Sequence, residues 1–153
     1  MLLIKNRRAF HNYDILQNYT AGIVLTGFEV KALREKRGNL QGAFVKIKDD
    51  TPVITSFHIG RYSKLSQDIS DTFLDRDRKL LLKKHEIASI KQSLEEKGKT
   101  AVPLSVILEH GLIKVEFAIV RGRKAHEKKV VAKERQIKKD LDNELKQNSR
   151  TSL

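Results

Sequence analysis

Six short runs that read as strands, four of them paired in two hairpins across polar turns, and two stretches of helical period closed by glycine predict a mainly β chain. The architecture that suits them is a six-stranded antiparallel barrel of the oligonucleotide-binding type, carrying two to three helices and a basic C-terminal tail. Size supports one such unit. At 153 residues, 39% hydrophobic and 33% charged, the chain can bury one modest core, so a single domain over residues 1–121 is expected, followed by an appendage over 122–153. Closing the sheet on itself removes the exposed strand edges that a small β domain otherwise presents.

Residues 1–4 are apolar but are cut off by Lys5, too short for a signal-peptide core. No later apolar run approaches the ~20 residues of a membrane span, so a cytoplasmic protein is expected. Residues 14–19 read as the first strand. Phe28, Val30, Ala32 and Leu33 then recur among charged residues, and Gly38 supplies a stop, which predicts a helix over 26–36. Ala43, Val45 and Ile47 alternate; the turn 49–52 and an extended return over 53–59 complete a hairpin. Residues 60–75 lack periodicity and are rich in Ser and Asp, the pattern of a long surface loop. A buried strand over 79–82 leads into a second helix marked by Ile87, Ile90 and Leu94 and closed by Gly98. Leu104, Val106 and Leu108, the turn His110-Gly111, and Ile113, Val115, Phe117 and Ile119 form a second hairpin. Beyond it, Val130, Ile137, Leu141 and Leu145 make a thin apolar stripe opposite Lys124, Lys128, Arg135 and Lys139. Such a helix is marginal in water, so the tail is expected to be disordered alone and helical on a partner.

The formal net charge of +12 favours a polyanionic partner, because neutralising phosphates releases condensed counterions. Residues 121–150 concentrate that charge, with eleven Lys or Arg against five acidic residues. The absence of aromatic rings from the tail argues for nucleic acid over a membrane surface. Lys5, Asn6, Arg7 and Arg8 with Phe10, His11 and Tyr13 mix charge with flat rings, a combination that pairs phosphates and stacks unpaired bases; equally, the rings can pack on the barrel.

Catalytic patterns fail on inspection. His85-Glu86 begins like a zinc-protease helix, but Ser89 stands where the second histidine must face the metal. Gly98-Lys99-Thr100 ends like a phosphate-binding loop, but Ser93 occupies the position of its first glycine. With no cysteine and no histidine cluster, no enzyme, metal or cofactor is expected, and no seam suggests a dimer. The alternative function from these residues is a structural or assembly protein bound to ribosomal RNA.

Four segments in order, "NRRAFHNY" (6–13), "AGIVLTGFEVKALR" (21–34), "RDRKLLLKKHEI" (76–87) and "RGRKAHEKK" (121–129), resemble the SmpB family, the SsrA-binding proteins that partner transfer-messenger RNA in bacterial ribosome rescue. The similarity runs from about residue 6 to residue 145. It implies a barrel that binds the tRNA-like part of that RNA and a tail that occupies the decoding centre of a stalled ribosome, in the service of trans-translation. By matching motifs it puts Asn6, Arg7, His11, Tyr13 and Arg34 on the RNA-binding side, together with Arg121, Gly122, Arg123 and Lys124. His126, Glu127, Lys128, Lys129, Lys133 and Arg135 fall in the ribosome-binding tail; from its position beside Lys124 and Lys128, His126 is expected to stack on a base of the decoding centre while the lysines hold phosphates. Thr20 departs from the acidic residue usual before Ala21-Gly22, and Glu127-Lys128-Lys129 replaces the family's Asp-Lys-Arg. The segment "NLQGAF" (39–44) also departs, and no role is carried onto it.

Overall fold

The computed structural model describes residues 1–64, 70–122 and 136–141. The chain divides into two units, Met1–Gly122 and Arg123–Leu153. The second contributes one described segment, helical at residues 136–141, in which the Gln136 amide donates to Asp140 at 3.1 Å. In the first unit the elements run β1 (Leu2–Lys5), α1 (Arg7–Asn12), β2 (Tyr13–Ile23), α2 (Gly27–Arg34), β3 (Gly38–Asn39), β4 (Phe44–Lys48), β5 (Thr51–Thr55), β6 (His58–Ile59), α3 (Asp71–Leu74), β7 (Arg78–Leu81), α4 (Lys84–Leu94), β8 (Lys99–Glu109) and β9 (Leu112–Gly122).

Six of these strands close a ring in the order β8-β4-β5-β7-β2-β9, sealed by pairing of β9 with β8, and every pairing is antiparallel. They are the six strands expected from the sequence. Two hairpins fix the register through consecutive left-handed residues, Asp49-Asp50 and His110-Gly111, whose twist matches that of the flanking strands. The first turn is therefore two residues long rather than four, and Pro52 belongs to β5 opposite Ile47.

The barrel interior is filled by Val45, Ile54, Leu80, Val106, Phe117 and Ile119. Tyr19 stacks on Phe117 at 5.5 Å between centroids, and its hydroxyl lies 3.0 Å from Ser89 Oγ, which ties α4 to β2. A second cluster lies apart from the first: Ala9 of α1 packs with Val102, Leu104, Ala118 and Val120. This explains why residues 101–104 and 117–120 are buried in unbroken runs where alternation alone predicts every other residue.

An ion network joins α2 to β7. Thr26 caps α2 by accepting from the Glu29 N–H at 3.3 Å, and the Glu29 carboxylate in turn accepts from the Thr26 N–H at 2.9 Å. The same carboxylate, 4% exposed, accepts from Arg76 and from the fully buried Arg78. Arg78 also donates to the Phe57 carbonyl and, at 2.8 Å, to that of Leu74, and its guanidinium lies 5.4 Å over the Phe57 ring. Burial works to raise the Glu29 pKa, but the bonds from Thr26, Arg76 and Arg78 more than offset it and hold the carboxyl below its usual range.

Five expectations change in detail. The apolar start belongs to a strand, β1 (Leu2–Lys5), which pairs with Ser105–Ile107 of β8 outside the ring. The described residues of the first unit hold four helices rather than two or three, because α1 and α3 span six and four residues and are too short to show a period. The run 53–59 is two strands, since Ser56 at φ 61° breaks it and sends His58-Ile59 to pair with β3. Gly38 does not stop α2; Lys36 takes the left-handed position at φ 61°. The loop 60–75 begins pinned, with Ser63 donating to Glu35 through both its N–H and its hydroxyl, and it contains α3; residues 65–69 lie outside the described residues.

Candidate nucleic-acid interface

The register of β2 on β9 decides what comes together. Tyr13 pairs with Gly122 and Asp14 with Arg121, while β8 sets Lys99 opposite Arg121 from the other side. The start of β2, the end of β9 and the root of the tail thus share one rim, to which α1 delivers its side chains immediately before Tyr13. On α1, Arg7, Arg8 and His11 are exposed, and Ala9 faces the second core cluster. Neither Arg7 nor Arg8 forms an ion pair among the described residues. Lys5 sits 5.1 Å over the Phe10 ring, and Phe10 and Tyr13 are half-buried against the same cluster, so both rings are largely spent on packing.

Asn6 has a structural task. It is 7% exposed and its amide donates to the Pro103 carbonyl at 2.9 Å, while its own N–H donates to Leu104 O at 2.8 Å. Those bonds lock the β1–α1 junction onto β8 and satisfy a buried polar group. Arg34 is exposed on the last turn of α2, an element packed against β1 and β6 rather than on the rim. Arg121 and Gly122 are exposed at the end of β9, which runs one residue beyond the boundary expected at 121. Arg123, Lys124, His126, Glu127, Lys128, Lys129, Lys133 and Arg135, expected in the interface, lie outside the described residues.

Beside the rim lies an open cleft of about 400 Å³, between α1, the turn after β3 and the start of β8. Arg8, Asn12, Tyr13, Gln41, Phe44 and Thr100 line it. Sequence reasoning missed this place because its walls come from three distant segments. Thr20 lines a separate cleft of about 450 Å³ together with Glu86 and Lys114, so a carboxylate from α4 lies near the position where β2 has none.

The family model described as "SmpB protein" matches residues 3–147. This chain belongs to the SmpB family. Relatives include the SsrA-binding protein of Treponema denticola, 41% identical over 145 residues that cover 95% of this chain and 93% of that protein. The SsrA-binding protein of Sulfurihydrogenibium sp. is 42% identical over 141 residues, covering 92% and 91%. A solved structure described as "tmRNA-SmpB: a journey to the center of the bacterial ribosome" superposes with a TM-score of 0.68 at 40% identity, covering 82% of this chain and 87% of that one. The two central SmpB motifs, 21–34 and 76–87, contain the partners of the buried network, Glu29, Arg76 and Arg78, so part of what identifies the SmpB family here is its scaffold.

Proposed function

We infer that this chain is an RNA-binding adaptor, which binds the tRNA-like part of transfer-messenger RNA and delivers it to stalled ribosomes for trans-translation. The observation that carries this reading is membership of the SmpB family along almost the whole chain, with relatives that are SsrA-binding proteins. The geometry gives it a physical route. A folded RNA is recognised by shape, phosphates and 2′-hydroxyls. The exposed cations Arg7, Arg8 and Arg121 gather about the rim where β2 begins and β9 ends, on a barrel stiffened by closure.

In this reading Arg7, His11, Tyr13, Arg121 and Gly122 meet RNA on the rim, Asn6 holds the rim in place, and Arg34 extends the surface from α2. The tail from Arg123, including Lys124, His126, Lys128, Lys129, Lys133 and Arg135, orders in the small-subunit decoding centre, where rRNA supplies the contacts that an isolated amphipathic helix lacks. The work is cytoplasmic and positional, with no chemical step assigned to the chain. Among the described residues no helix is long and apolar enough to cross a membrane.

The test is to purify the full chain from its own cells at moderate salt and sequence the RNA that accompanies it. One dominant small RNA with a tRNA-like end is expected; stoichiometric ribosomal RNA in its place would overturn the adaptor reading. Deletion of residues 123–153 is expected to leave binding to transfer-messenger RNA within a few-fold while abolishing tagging of stalled chains in a reconstituted system.

A further inference from the structure

The cleft between α1 and the turn 39–43 has features that the barrel does not need. Phe44 begins β4 opposite Thr55 and is 40% exposed, while its neighbours Ala43 and Val45 are buried. A single exposed ring is ordinary on a protein surface. Here, however, the ring forms one wall of an open, largely polar cleft of about 400 Å³, with Arg8 and Asn12 on the facing helix and Gln41 and Thr100 on the remaining sides.

The rim that carries the ring is held in shape. Asn39 Oδ1 accepts from the Gln41 N–H at 2.8 Å, the Ala43 N–H donates to the Leu40 carbonyl at 3.0 Å, and Gly42 turns the chain at φ 80°. On the opposite wall α1 is anchored by Ala9 in the second core cluster and by the Asn6 amide on Pro103. The two walls are therefore preformed, and filling the cleft does not require ordering a loop first.

We propose that this cleft is a binding site for one unpaired nucleotide of RNA, with the base stacked on Phe44, its edge read by Asn12 and Gln41, and its phosphate held by Arg8. A flat ring stacks on any base, a guanidinium holds a phosphate, and amide groups both donate to and accept from base edges, so the three residue types together fit a nucleotide. Arg8 has no carboxylate partner among the described residues, which leaves its charge available. The site deepens the RNA-binding reading and rests on it. It adds residues, Arg8, Asn12, Gln41 and Phe44, to which the family resemblance gives no role.

The chain contains no tryptophan, so Phe44→Trp keeps a stacking surface and introduces a single indole as reporter. The full-length variant is titrated separately with transfer-messenger RNA and with 30S subunits, and binding is followed in parallel by mobility shift or sedimentation. Saturable quenching of the indole by either one supports the site and names the RNA that fills it. Binding to both with unchanged indole emission overturns the site while leaving the adaptor reading intact. Failure of the unmodified chain to bind either overturns the adaptor reading, and the site with it.

As a second readout, Phe44→Ala is expected to weaken binding to the quenching RNA by about 5- to 100-fold, with its melting temperature confirming the fold. Arg8→Gln is expected to reduce the steepness of the salt dependence by roughly 0.7 to 0.9 in log–log slope, as for the loss of one phosphate contact. Affinity within two-fold of wild type for Phe44→Ala would count against the site.

Discussion

At the residue scale, the most consequential group is one that a charge-based reading leaves on the surface. Glu29 sits in a segment dense with charge and carries an Asx- or Ser/Thr-type cap signal three residues upstream in Thr26. That spacing makes the capping box legible, but only the fold reveals that the same carboxylate also holds Arg76 and Arg78. Charged residues are almost never fully buried unless paired, and nothing in a linear sequence says which partners will meet at a separation of 47 or 49 positions. The network sets two expectations. Glu29→Gln leaves the Arg78 guanidinium buried without its counter-charge and should cost about 3–5 kcal/mol at neutral pH, measured by urea denaturation. Because the folded-state carboxyl titrates below its ordinary value of 4.5, its stabilisation is fully present above that value and is lost as pH falls through the lower folded pKa. The gap between wild type and Glu29→Gln should therefore narrow below about pH 4.5. A gap that stays constant from pH 7 to pH 3 would mean the carboxylate is not coupled to folding. Arg76 adds a further detail: its Nε is buried without a hydrogen-bond partner among the described residues, and its guanidinium instead lies 5.3 Å over the Phe73 ring.

At the scale of elements, the strands are legible where they carry alternation or a short apolar run, while the unbroken burial of 101–104 and 117–120 is not, because α1 covers those residues as a second layer. β2, β4, β5, β7, β8 and β9 all announce themselves by alternation or by a short apolar run. β1 does not, because four residues give no period, and α1 hides because six residues make less than two turns. The cleft was invisible for a related reason, since it exists only once α1 has been laid beside residues 41–44 and 100. Gly38 shows how a correct residue can be read for the wrong cause. A Cβ there would come within 2.3 Å of Ile4 Cδ1 and 3.1 Å of Leu33 Cδ2, so the glycine lets β3, α2 and β1 meet. Gly38→Ala is expected to destabilise the unit by about 1–3 kcal/mol. Adding Ile4→Val, which removes the offending methyl, should recover part of that loss in a double-mutant cycle. Strictly additive effects of the two substitutions would show that the steric account is mistaken.

At the scale of the whole molecule, composition already points to the partner class, since a chain of net charge +12 with its cations concentrated near residues 121–150 is built for a polyanion. What composition withholds is the location of the surface, which depends on strand register bringing Tyr13 beside Gly122. The affinity for transfer-messenger RNA is expected to fall linearly with salt on a log–log plot, with a slope of roughly −0.7 to −0.9 for every phosphate neutralised. A filter-binding series from 50 to 300 mM salt would measure it, and a flat line would place the binding energy outside the cationic rim. The outer pairing of β1 on β8 has one more consequence, which concerns time. Leu2–Lys5 leave synthesis roughly a hundred residues ahead of their partners Ser105–Ile107, a wait of about 5 to 20 s at ordinary rates of synthesis. Until then α1 has neither β8 nor β9 to lie on. A copy not yet translated through Gly122 therefore lacks the rim, and only a chain made through β9 can begin to gather RNA there.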